Sequence, residues 1–240
     1  MEDIYKQGTL FPIDDFTIKQ SLVEAKETSS HRRRKEHCNN MDICMSLEKQ
    51  GQFDMPILHP YDGPIPSTLI PFNQAMSSTT YSNCCVHFFI DDYQFERIWK
   101  DIDRYAEKLS KYSCVIGPDF SQYRNMSYPE RMWNCYRNRV VSSHLQKKGV
   151  NIIPNVTWSL PDSYDYSFDG IPENSIIAIN CSSIQSCKLS TYLWYKGYEE
   201  AIKRLKPKAI IRYGTKMQDE QTDISYYFEN ERLKRLRNGR

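Results

Sequence analysis

The chain has 240 residues, 40% hydrophobic and 26% charged, which is a globular composition with enough length to bury a core without disulfide staples. Its formal net charge of +2 is too small to point to a partner, so only local clusters of charge can do so. The opening stretch MEDIYKQGTLFPIDDF has neither the basic start nor the apolar run of a secretory signal, and no stretch approaches the roughly 18 apolar residues of a membrane span. The expectation is a cytoplasmic protein with no membrane partner. The eight cysteines include no C-x-x-C pair, and His31, His37, Cys38 and Cys44 match no zinc-finger spacing. Free and mostly buried thiols are therefore expected.

In chain order, residues 1–37 are weakly periodic and end in a basic run, Arg32, Arg33, Arg34 and Lys35, which reads as an N-terminal extension. Five prolines between Met55 and Pro71 deny regular helix and central strand there. That stretch reads as an extended connection leading into a short strand at 68–72. A continuous apolar run predicts a strand at 86–90. Phe95, Ile98, Trp99, Ile102, Ala106 and Leu109 then recur at steps of three and four, one face of a helix. A second apolar run predicts a strand at 114–117. Ser127 and Glu130 have the form of a capping box for a helix that stops at Gly149. Strands follow at 151–156 and 175–180, separated by an aspartate-rich loop with turn chemistry. Trp194, Tyr198, Ala201, Ile202 and Leu205 mark another helix, ended by Pro207, and residues 208–213 form the last predicted strand. Residues 215–240 read as a basic tail or terminal helix.

Strands that are apolar on both faces and alternate with helices define an α/β class with a mainly parallel sheet. About six strands are expected across a core domain at 38–214. The unbroken succession of strands and the lack of a glycine-rich phosphate fingerprint lean towards a partial barrel, with an open doubly wound sheet as the alternative.

In such folds ligands sit beyond the carboxyl ends of the strands. Reading those ends gives Asn73, Asp91 and Asp92, Asp119, Asn155 and Trp158, Asn180 and Tyr213, with Arg124 and Asp169 in loops just beyond. Asp91 or Asp92 can cap the helix that follows, and Gln94 completes a capping box with Asp91. Capping explains one of the two acids and leaves the other. Asp119 lies well before the next helix, so capping explains it less well. Asp91, Asp92 and Asp119 are candidate acid–base groups or oxygen ligands for Mg or Mn. The same acids can instead pair with Arg124, Arg137 or Arg139 as structural ion pairs. Arg137, four residues after Trp133, has the spacing of a stacked pair.

The blocks LIPFNQA, VHFFIDDYQFERIW, VIGPDFSQYRNM, WNCYRNR, IIPNVTW, FDGIP and RLKPKAIIRYG together resemble the family called domain of unknown function 4417. The resemblance runs from about Cys38 to Gly214. It implies a protein of phages, plasmids and other bacterial mobile elements, acting in the bacterial cell or phage-infected host, and it supplies no reaction. The positions it would carry over are Asp91, Asp92, Asp119, Arg124, Asn155, Trp158 and Tyr213.

Two functions follow as expectations. One is binding of, or action on, a nucleotide or other phosphate-bearing small molecule, with Arg124, Asn155, Trp158 and Tyr213 as ligand contacts beside the three acids. The other is a non-enzymatic accessory factor that binds protein or, weakly and non-specifically, nucleic acid through its basic ends.

Overall fold

The structure is a computed structural model that describes residues 38–79, 81, 83–182, 184, 187–218 and 222–230. Arg32, Arg33, Arg34, Lys35 and the basic residues from 231 onward lie outside the described residues. The chain divides into two compact units, Met1–Asp42 and Ile43–Arg240. The described part of the first is a 3-10 turn, Cys38–Asn40, and the start of a short helix, Met41–Met45.

In the second unit, seven strands run parallel. β1 (Thr68–Pro71), β2 (Cys84–His87), β3 (Cys114–Ile116) and β4 (Ile152–Ile153) form one sheet. β5 (Ile176–Cys181), β6 (Ala209–Gly214) and β7 (Ser225–Phe228) form another. Spatial order follows chain order in both. A separate antiparallel pair, Lys49–Gln50 with Met55–Pro56, precedes them.

The parallel α/β class is as expected, but the single six-stranded sheet is not. The two sheets meet at one isolated parallel bridge, Asn155 with Ala178. The reason lies at Pro154, whose carbonyl accepts from Ala178 N but which has no N–H to give a bond on that side, so pairing between β4 and β5 is reduced to this bridge. No barrel closes either, since β1 and β7 are not paired with each other among the described residues.

Alternation along the strands sorts side chains to two faces. Val86, Val115 and Ile152 pack with residues of helices α1 (Ile102–Leu109) and α2 (Tyr128–Lys147). Ile177, Ile179 and Ile210 pack with helix α3 (Lys188–Leu205). The opposite face is built from Cys85, Cys114, Ile116, Ile153, Ala178, Ile211 and Tyr213, which cluster together with Tyr61 from the proline-rich connection. All three long helices thus lie on one face. A doubly wound sheet needs helices on both.

α2 begins as its sequence says it should. Ser127 Oγ accepts from Glu130 N, and Glu130 Oε2 accepts from Ser127 N at 2.7 Å. The expected helix over 95–109 is instead broken into Arg97–Lys100 and α1, because Asp101 leaves helical geometry and caps α1 by accepting from Arg104 N. The strand expected at 86–90 lies at Cys84–His87. Phe88 and Phe89 are buried beyond it in opposite clusters, so an apolar run outlasts the ladder. Where the terminal helix was expected, Ser-Tyr-Tyr-Phe forms β7 in register with β6, as its aromatic residues favour.

Candidate functional site

The loop leaving β3 carries Asp119 into the gap between the two sheets. Its Oδ1 accepts from Asn155 Nδ2 at 3.0 Å, and its Oδ2 accepts from Asn180 Nδ2 at 2.9 Å. Asn155 follows β4 and Asn180 lies in β5, so one carboxylate ties both sheets together. Both amides are oriented by the backbone. Asn155 Nδ2 also donates to Pro118 O, and Asn180 Oδ1 accepts from Ser182 N. Burial pushes the Asp119 carboxyl up. The amides of Asn180 and Asn155 pull against that rise, and the charge of Asp92 adds to it.

Asp92 stands behind this loop. It accepts from Ser121 Oγ at 2.7 Å and from Ser121 N at 3.0 Å. Asp91 is exposed and sits at the cap of the turn Asp92–Gln94 without a side-chain cap bond. It accepts a long bond from Gln94 Nε2 at 3.4 Å. Among the described residues, no three His, Cys, Asp or Glu side chains are grouped so as to hold a metal ion.

Beyond Asp119 opens a cavity of about 370 Å³. Asp119, Gln122 and Arg124 line it from the β3 loop, Trp158 from the β4 loop, Asn180 from β5 and Trp194 from α3. Its size is at the small end of the range for small-molecule sites. Trp158 and Trp194 lie with ring centroids 6.1 Å apart. Gly197 of α3 makes room for the Trp158 indole, because a Cβ there would overlap its Nε1 and Cδ1 and stand 2.5 Å from its Cε2. Ser159 and Trp194 also line the cavity and are 7% and 3% exposed. Their Oγ and Nε1 have no hydrogen-bond partner among the described residues.

At the mouth, Arg124 is exposed, with Nη2 3.9 Å from the sulfur of Cys187. Cys187 caps α3 by accepting from Ser190 N at 3.3 Å. Ser190, and then the Arg124 charge, hold its thiol below the usual range.

Of the positions read from strand ends and the loops beyond them, Asp119, Arg124, Trp158 and Asn180 line this cavity, and Asn73 and Asp169 do not. Asn155 and Asp92 brace its walls from behind. Tyr213 does not belong to it. Its ring faces the opposite side of β6, stacks on Phe89 at 5.1 Å and lines a different cavity of about 560 Å³ beside His87.

The arginines of α2 do not pair with the strand-end acids in the contacts observed. Arg137 binds Glu96 at 2.7 Å and stacks over Phe120 at 3.8 Å, whereas the sequence pointed to Trp133. Arg139, fully buried, donates to the carbonyls of Asp169, Asn155 and Ser167. Arg131 makes a two-pronged pair with Asp162. The sequence reading missed Ser159 and Trp194 as lining residues. Trp194 falls on the apolar stripe of its helix and so reads as core, and Ser159 carries no local signal.

The fold and its strand-end cavity define a parallel α/β protein with its candidate ligand site where such folds place one. The chain belongs to the family described as Domain of unknown function (DUF4417), whose model matches residues 47–230. That match reaches past Gly214 and includes β7. The chain is 32% identical over 176 residues to Gene 1 protein of Mycobacterium phage L5, covering 72% of this chain and 76% of that one. It is 31% identical over 176 residues to Gene 1 protein of Mycobacterium phage D29, covering 72% of this chain and 65% of that one. No solved structure matches. Among the described residues, no helix is long and apolar enough to cross a membrane.

Proposed function

We propose that the strand-end cavity binds a small phosphate-bearing molecule, a nucleotide being the class it suits best. The observation that carries this reading is the placement of Arg124 and Asp119 on one cavity with two indoles, Trp158 and Trp194. The indoles supply apolar walls for a planar group, and Arg124 at the mouth supplies a planar cation matched to phosphate oxygens. The N-terminal turn of α3, eighteen residues long, lines the same mouth through Ser190 and favours negative charge there. In this reading Asp119 is the acid or base of the cavity, Asn155 and Asn180 orient it, and Asp92 positions its loop through Ser121.

The test is native mass spectrometry of the purified full chain for co-purifying small molecules, with calorimetric titration of nucleoside monophosphates and inorganic phosphate. A phosphate-bearing ligand is expected. Arg124→Ala should weaken it roughly tenfold to hundredfold, the value of a charge-assisted hydrogen bond. A protein that carries no such ligand and binds no nucleotide refutes the proposal.

A further inference from the structure

We propose that the cavity reads a guanine edge through Asp119, so that its ligand is a guanine nucleotide. This inference rests on the nucleotide reading above and goes on to name the base.

A carboxylate offers about four lone-pair positions. The amides of Asn155 and Asn180 occupy two of them, one on each oxygen, from the two sheets. The flanking carboxamides turn their N–H groups inward to Asp119. Asn180 Oδ1 is committed to Ser182 N, so that amide cannot reverse without losing a backbone bond. The floor of the cavity is therefore an acceptor with both oxygens held in place and a lone pair left on each.

Such a floor selects for two adjacent N–H donors. Among the common bases, guanine presents that pair, at N1 and its exocyclic amine. Adenine and cytosine put a ring acceptor beside their amino group, and one carboxylate oxygen would face a lone pair. Uracil has a single N–H between two carbonyls. Two parallel N–H···O bonds to one carboxylate are the geometry that gives Arg–carboxylate pairs their strength.

Two groups without a partner among the described residues agree with this choice. Trp194 Nε1 is a donor only, Ser159 Oγ can donate, and both belong to residues over nine-tenths buried that line the cavity. Buried donors without partners are costly, and each calls for an acceptor. Guanine carries acceptors at O6 and N7, next to the edge that Asp119 would hold. Trp158 offers an indole for the ring to lie against, and Arg124 stands at the mouth for the phosphate. One molecule thus answers the acid floor, the two donors and the cation.

The experiment is calorimetric titration of the full chain with GMP, IMP, AMP and CMP, and with inorganic phosphate as the base-free probe. IMP keeps N1–H and O6 but lacks the amine, so it tests the paired donors on the unmodified protein. GMP should bind roughly 5- to 150-fold more tightly than AMP, the discrimination a two-pronged base contact gives, with IMP between them. Asp119→Asn should erase the preference for GMP over IMP and AMP, and Arg124→Ala should weaken all the nucleotides alike. Circular dichroism checks that both variants are folded. Equal affinity for GMP, IMP and AMP overturns the guanine assignment and leaves the nucleotide site standing. No binding of any nucleotide or phosphate overturns both.

Discussion

Replacing Gly197 by alanine sets two effects of known size against each other. Gly197 lies within α3, where alanine is favoured over glycine by roughly 0.5–1 kcal/mol because it loses less backbone entropy. The added Cβ would meet three atoms of the Trp158 indole, the farthest of them 2.5 Å away. Carbon contacts settle near 3.5–4.0 Å, so the ring must retreat by about 1 Å or more. Phe168 and Trp194 pack around that ring at centroid distances of 6.4 and 6.1 Å. An indole is rigid and cannot fold out of the way, so overpacking of about 1–3 kcal/mol applies. The net expectation is a loss of up to about 2.5 kcal/mol, the overpacking cost less the helix gain. Trp158 should also be displaced towards the cavity. Urea unfolding gives the first quantity and near-ultraviolet circular dichroism the second. Trp158→Phe made together with Gly197→Ala should recover part of the loss, which a double-mutant cycle measures. If Gly197→Ala instead raises the unfolding midpoint and leaves the aromatic spectrum unchanged, the reasoning fails.

Other expectations follow from the same contacts. Arg139→Met keeps the length of the side chain but removes donors from the carbonyls of Asp169, Asn155 and Ser167, and should cost about 2–4 kcal/mol in urea unfolding. The acids split in sign with pH. Asp103 and Asp162 are held below their usual range by His144 and Arg131 respectively, so the stability they add is present above about pH 4 and is lost as pH falls through their folded values. Asp119 is raised by burial, so its contribution is full below about pH 4 and is lost as pH rises through its folded value. Unfolding between pH 3 and 6 should therefore show a flatter acid limb in Asp162→Asn and a smaller decline towards neutral pH in Asp119→Asn. At neutral pH, Cys187 should react with iodoacetamide ahead of the buried Cys85, Cys135 and Cys181, and Arg124→Ala should slow it, as peptide mapping by mass spectrometry would show. The accessory-factor reading is checked by a salt titration of DNA binding. It expects a log–log slope of roughly −4 to −5 that disappears when the clusters at 32–35 and 232–240 are neutralised, and a slope near zero removes it.

Much of this architecture is legible in the sequence because burial on both faces leaves unbroken apolar runs. Residues 114–117 and 208–213 mark β3 and β6 to within a residue at each end. The capping box at Ser127 and Glu130 places the start of α2 because the side chains that form it are local. The short β4 is illegible for the opposite reason. Residues 151–156 read as one apolar strand, but Pro154 interrupts the ladder and divides the sheet. β7 is followed by an alternation of charged and apolar residues that mimics a helix, and its pairing with β6 is a tertiary fact. Asp119, Arg124, Trp158 and Asn180, scattered along the chain, come together on one cavity as the strand-end rule expects of neighbouring parallel strands. Tyr213 lies apart, on the opposite face, because the rule locates a residue along a strand and not the face to which its side chain turns, which is a matter of odd or even position.

The seam between the sheets is held on the backbone by two hydrogen bonds, Val156 N to Ala178 O and Ala178 N to Pro154 O, both 2.9 Å. Asp119 spans the same seam with a bond to each side. The carboxylate is thus a latch between two ladders whose backbones meet at this one bridge, and a ligand docked on it would bear on the angle between them. Amide exchange at Val156 and Ala178 would register that coupling directly, slowing when the cavity is filled and quickening when the latch is cut. A carboxylate placed so makes the joint between the two sheets, and not either sheet alone, the part of the framework most exposed to a change at Asp119.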